Sequence, residues 1–325
     1  MASLLLAAAL VVAAAPQAAA QRISVERSFD APAGTTLDVS TIRGAIEVSG
    51  EPATRVVIRG TATVRVGFNV PANALELAQR VAANPPVRQD GRVVRLSPPA
   101  GDDEQRAVTV SYRVVVPVGT DVRASTVSGA TAITGTTGRV SVKTGSGATD
   151  LSRLGGSVVV LGRSGAVRVD QVTGDVAVST QSGGITLRDL GGGLRVRTQS
   201  GGVVARFTSQ ARGQADVETS SSSIDLTGVR DGLTASSQSG HIRASGAPGA
   251  PWDVTVRSSS VELFFDRTTP LTLDATSGSG DVHVAGLVLG GASLVKGSAT
   301  GTLGGGGPLV RASTRSGSVR IGLGR

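Results

Sequence analysis

His241 and His283 are the only histidines in the 325-residue chain. Imidazole is the usual general base near neutral pH, so general base catalysis would run through one of these two or through carboxylates. His283 stands in "DVHVAG" at the parity of an outward strand position, and no histidine pair has metal-ligand spacing. Serine is abundant, but no G-x-S-x-G elbow exposes a nucleophile. The stretch "SGSGDVHV" lacks the regular Asp of calcium-binding β-roll repeats and occurs once. Cysteine is absent, which removes disulfides, thiolate metal sites and lipid attachment through Cys. No catalytic, cofactor-binding or metal-binding residue is expected, and the chain reads as a non-enzyme without a cofactor.

What remains is charge. The 32 basic residues against 24 acidic ones give a net charge of +8, and all the basic ones except Lys143 and Lys296 are Arg. Arginine suits bidentate pairing with carboxylate or phosphate, although GC-rich coding also favours it. Arg188 and Arg206, with Arg195 and Arg197 on the other strand of the repeat, are expected to form a local basic patch. Such a patch can hold an anionic polymer such as lipopolysaccharide phosphate or nucleic acid, and a plain solvated face is the alternative. No aromatic residue lies between 113 and 206 to stack on bases or sugars, so no specific nucleic acid is expected.

These residues need a scaffold, and the sequence is periodic. Four 18-residue units run without a gap: "GRVSVKTGSGATDLSRLG" (138–155), "GSVVVLGRSGAVRVDQVT" (156–173), "GDVAVSTQSGGITLRDLG" (174–191) and "GGLRVRTQSGGVVARFTS" (192–209). Unit position 3 reads Val140, Val158, Val176, Leu194, and position 5 reads Val142, Val160, Val178, Val196. Position 12 reads Thr149, Val167, Ile185, Val203, and position 14 reads Leu151, Val169, Leu187, Ala205. Apolar and polar residues alternate, which is strand periodicity with one face buried.

Each unit therefore holds two short strands. Between them stand Ser146-Gly147, Ser164-Gly165, Ser182-Gly183 and Ser200-Gly201, which read as a structural corner. A short fixed period marks a solenoid, each coil pairing with the next at about 4.8 Å. Glycine permits positive φ and close backbone approach at the corner. The serine shares the parity of positions 3 and 5, so it is expected to point inward and bond turn backbone or the serine one coil away. Thr144, Thr180 and Thr198 are expected to form a second stack. A ligand array, for instance for a sugar, is the alternative use of these hydroxyl columns.

Looser coils follow at 217–226, 235–244, 256–265, 275–284 and 313–322, and precede at 39–48 and 124–133. Stacked in chain order, about twelve coils give a rod on the order of 55 Å. The longer turns 245–252 and 286–297 are expected to bulge from it. Residues 61–112 break the pattern. A helix is predicted at 73–83, with Asn73 and Glu76 spaced as a capping box and Leu75, Ala78, Val81 and Ala82 on one face. A strand is predicted within 106–119, and the whole insertion is expected to sit near the N-terminal end as a cap. The first twenty residues carry no charged side chain, hold the apolar run Leu4 to Ala15, and end with Ala18 and Ala20 before Gln21. They read as a secretory signal peptide, which leaves 21–325 as one domain without a transmembrane segment. The expected fold is all-β: a single-stranded parallel β-solenoid, right-handed by the bias of parallel crossovers, with about 18 residues per coil.

The stretch "YRVVVPVGTDVRASTVSGATAITGTTGRVSVKTGSGATDL" (112–151) and the Ser-Gly coils after it resemble the bacterial putative-adhesin β-strand-repeat family, a domain of unknown function in exported proteins. The resemblance covers roughly residues 36–325. It implies a β-solenoid and a cell-envelope or surface location, and it brings no catalytic motif. The expected role is an exported, non-enzymatic adhesin or scaffold presenting a repetitive face to an envelope or surface component, either a protein or an anionic polysaccharide. The alternatives are a polysaccharide-binding or polysaccharide-cleaving β-helix and a periplasmic accessory factor in envelope-stress signalling. The expected location is the periplasm, the outer-membrane surface or the exterior, as a monomer or an end-to-end dimer.

Overall fold

The computed structural model describes residues 21–324, so the leader expected over 1–20 lies outside the described residues. Valine, leucine and isoleucine at alternate positions favour strands over helices. The chain accordingly folds as short strands in two sheets, a front sheet of fifteen and a back sheet of fourteen. Each coil gives one strand to each sheet, and the parallel pairs define twelve rungs. The fold is the expected β-solenoid.

From the N-terminal end, rung 1 is Val93–Leu96 and Val108–Pro117, rung 2 is Thr36–Thr41 and Ile46–Glu51, and rung 3 is Asp121–Thr126 and Thr131–Thr134. Rungs 4 to 7 are the four regular units, beginning with Val140–Ser146 and Thr149–Leu154. Rung 8 starts with Ala215–Thr219 and rung 9 with Leu233–Ser237. Rung 10 is Trp252–Val256 and Val261–Phe265, rung 11 is Leu309–Thr314 and Val319–Leu323, and rung 12 is Leu271–Ser277 and Val282–Ala285. The register is strict: Val140 lies opposite Val158, Val158 opposite Val176, and Val176 opposite Leu194.

The coils do not stack in chain order at either end, which corrects the simple sequential reading. Rung 2 lies between rungs 1 and 3, although rung 1 follows it in sequence. Rung 11 lies between rungs 10 and 12, although it follows both in sequence. Val310 pairs with Trp252 on one side and Leu273 on the other. All three strands carry the same alternation, so local pattern does not choose the neighbour. The outer edge of Leu271–Ser277 is instead taken by antiparallel Ser298–Leu303 and then Gly290–Val295.

Inward side chains from both sheets make one core along the stack. At rung 10 the column widens to aromatics: Trp252 and Phe265 pack with ring centroids 5.3 Å apart, and Trp252 Nε1 donates to the Asp231 carbonyl at 2.7 Å. The insertion and the strands before it together build the N-terminal end. Arg22–Asp30 and Arg55–Val64 add antiparallel to the back strand of rung 1, and Val87–Asp90 adds to its front strand. The helix Ala74–Ala83 forms, and a second short helix spans Asp102–Ala107. Asn73 stands at the N-cap without a side-chain cap bond, so the capping box is not made. Ala74, Leu77, Ala78 and Val81 are buried while Leu75 is exposed, which rotates the packed face from the expected one. Of the two long turns, 286–297 carries the exposed strand Gly290–Val295. Residues 245–252 instead lie along the preceding rung through Ala247 N to Val229 O and Gly249 N to Arg230 O.

Two backbone devices close the regular coils of rungs 4 to 6. At the corner, a Cβ on Gly147 would run into the carbonyl of Gly129, one on Gly165 into that of Gly147, and one on Gly183 into that of Gly165. The φ angles there are +150°, +122° and +114°, so contact and conformation both require glycine. On the back strand, Arg153, Gln171 and Asp189 adopt left-handed φ of 53°, 55° and 53°. Each resets the alternation by one residue, so Leu151 and Leu154, Val169 and Val172, and Leu187 and Leu190 all reach the core.

Candidate functional site

The corner serines do not point inward. Ser146 and Ser200 are exposed, and Ser164 and Ser182 are half-buried. The chain bends between the threonine and the serine, so strand parity does not carry through. The serines do stack, Ser146 opposite Ser164 and Ser182 opposite Ser200. Ser164 and Ser200 donate to the carbonyls of Gly145 and Gln181 one coil back, each at 3.4 Å.

The inward hydroxyl belongs to the residue two places earlier. Thr41, Thr126, Thr144, Thr180, Thr198, Thr219, Ser237 and Thr314 are all buried at this position. Thr41 Oγ1 lies 3.1 Å from Thr126 Oγ1, and Thr180 Oγ1 lies 3.3 Å from Thr198 Oγ1. Thr126, Thr198 and Ser237 accept from the N–H of Gly129, Gly201 and Gly240 at 2.9, 3.2 and 2.8 Å, which ties the column to the corner. Gly162 interrupts it at rung 5, and the hydroxyl of its neighbour Thr144 has no partner.

The four arginines separate onto two faces. Arg195 and Arg197 lie on the front sheet, in Leu194–Ser200. Arg188 and Arg206 lie on the back sheet, in Ile185–Leu190 and Val203–Phe207. The two strands of a coil aim their outward side chains in opposite directions, so one four-arginine patch does not form. Arg195 and Arg197 are also paired: Arg195 Nε is 3.3 Å from Asp216, and Arg197 Nε is 3.4 Å from Glu218. Exposed pairs of this kind contribute about 0 to 1 kcal/mol, so their effect is on surface charge more than stability. Arg188 lies opposite Asp170 on the back sheet.

Both histidines are on the back sheet side. His283 is exposed opposite Arg320. His241 Nδ1 is 2.9 Å from Ser260 Oγ, and its Nε2 is 3.8 Å from Glu262, which also lies 4.0 Å from Arg243. Arg243 in turn stacks over Phe264 at 4.7 Å.

The front face holds an elongated concavity. Two cavities of about 590 and 430 Å³ share Glu218 and Ser220 in their linings and follow one another as an open furrow along rungs 4 to 11. It follows the hydroxyl column, where each front strand bends into its corner. Gly162 deepens it by leaving no side chain between Thr144 and Thr180. Sequence periodicity does not show it, because the concavity comes from the bend and not from any residue type. Among the described residues no cluster of His, Asp and Glu could hold a metal ion, and no helix is long and apolar enough to cross a membrane.

Residues 206–322 match the family model Toastrack DUF4097. The Toastrack-matching segment begins near the end of rung 7 and takes in the reordered rungs 10 to 12. It falls within the Ser-Gly coils after 112–151, inside the 36–325 region over which the sequence resembles the putative-adhesin repeat family. No protein of curated function matches the chain. Among solved structures, a "putative cell adhesion protein" from Clostridium sporogenes ATCC 15579 aligns over 94% of this chain and 100% of its own, at 8% identity and a TM-score of 0.21.

Proposed function

We propose that the protein is an exported, non-enzymatic binding rod, an adhesin or scaffold that meets an envelope or surface component along its front face. The observation that carries this reading is the furrow. Eight successive rungs build it, and each contributes at least one polar side chain to the lining at the spacing of its neighbours. Many weak, equivalent contacts suit attachment better than turnover. Glu218 is the single carboxylate in its lining, and Arg197 holds it. Glycoside cleavage works through two facing carboxylates, so the furrow reads as a surface that holds and does not cut. The uncharged leader-like segment ahead of Gln21 supports export.

The test is capture from bacterial envelope extract on immobilised residues 21–325, alongside incubation with a glycan panel. The expected result is a discrete retained component and no new reducing ends. Retention of nothing, or release of cleavage products, overturns the reading.

A further inference from the structure

The furrow runs across the strands that form it, parallel to the rod axis. From rung 4 to rung 11 it spans seven intervals, on the order of 34 Å at the strand spacing. One wall presents Arg163, Gln181, Gln199, Gln238, Arg257 and Arg315, each exposed and each on its own rung. The opposite wall is mostly hydroxyl, from Ser179 to Ser313.

Three features narrow the ligand. The strands beneath are paired on both sides, so no backbone edge is free to take up a peptide strand. Among the described residues Arg163, Arg257 and Arg315 are in no ion pair, while Arg197 is offset by Glu218. The furrow is thus positive toward both ends and amide-lined between them. Amides donate and accept, as sugar hydroxyls do, and guanidinium forks match carboxylates. No aromatic side chain lines it, which disfavours stacked nucleotides.

We propose that the furrow holds a linear, carboxylate-bearing polysaccharide laid along the rod axis. The proposal rests on the reading of the rod as a binding surface. Contact per sugar is slight without aromatic platforms, so affinity must accumulate with the number of rungs engaged.

The test measures binding of residues 21–325 to polygalacturonate and alginate fragments long enough to span the furrow, with a uronate trisaccharide, neutral dextran and single-stranded DNA beside them. The long acidic fragments are expected to bind at least about 10-fold tighter than the trisaccharide. Arg163→Glu/Arg257→Glu/Arg315→Glu is expected to weaken them by at least about 10-fold, while Arg188→Glu/Arg206→Glu on the back face leaves binding unchanged. Unchanged affinity in the triple variant, length-independent binding, or equal binding of DNA overturns the proposal. If wild-type protein captures an envelope component yet binds neither acidic glycan, the ligand class falls and the binding rod stands. If it captures nothing and binds nothing, both fall.

Discussion

At the scale of single residues, the hydroxyl column shows what a repeat demands and where this one departs from it. Thr144 is buried with an unpaired Oγ1, facing Thr126 on one side and Gly162 in place of a hydroxyl residue on the other. A Cβ at Gly162 would meet the methyl groups of Thr144 and Thr180 at 3.6 Å, an ordinary contact. Gly162→Thr is therefore expected to stabilise the fold by about 1 kcal/mol, through strand propensity and a partner for Thr144. Urea denaturation reads this directly, and a loss of stability would show that the column cannot close there. The threonine stack is legible in sequence from Thr144, Thr180 and Thr198. The outward turn of Ser146 and its repeats is not, because parity counts residues and takes no account of the bend between them. The left-handed Arg153, Gln171 and Asp189 are equally hidden, since none is the glycine that usually marks such a backbone.

At the scale of the coil, the inward columns follow from alternation alone, and their register from the constant unit length. Charge placement does not. Alternation says that Arg188 and Arg195 point outward, but which face each meets depends on which strand of the coil it occupies. Cross-rung partners such as Asp216 and Glu218 appear only once the rungs are aligned. The first coil carries a titratable group of its own. Tyr112 lies in the back strand of rung 1, its hydroxyl donating to the Ser97 carbonyl at 3.3 Å, and burial pushes its pKa up from 10.0 to about 12. Folding then favours the neutral phenol. Stability from this group is complete below pH 10 and falls as pH rises through 12, by about 2 to 3 kcal/mol in all. Tyr112 is the only tyrosine, so tyrosinate absorbance reports it alone. The expected titration is near pH 12 in the folded chain and near 10 in denaturant, and Tyr112→Phe should flatten the alkaline loss of stability. A folded-state titration near 10 would contradict the burial.

At the scale of the molecule, twelve rungs and a helical cap are foreshadowed by the count of Ser-Gly corners and by the break at 61–112. Their order is not, because the strands at Trp252, Leu271 and Leu309 present nearly interchangeable patterns. A chain ending at residue 307 lacks rung 11. Hydrogen exchange is expected to speed in 252–265 and 271–285 while the regular rungs 4 to 7 keep their protection, since each rung is held chiefly by its two neighbours. Undiminished protection of 271–285 would show rung 12 sliding directly onto rung 10. The same arrangement has a temporal side. A chain threaded out N-terminus first delivers 271–285 before 309–323, so the slot between rungs 10 and 12 must stay vacant until 309–323 has emerged. A product released before 309–323 would leave bare the edges of Trp252–Val256 and Val261–Phe265 that rung 11 covers, and such edges invite aggregation. The strands within 309–323 thus act as a seal between coils made before them.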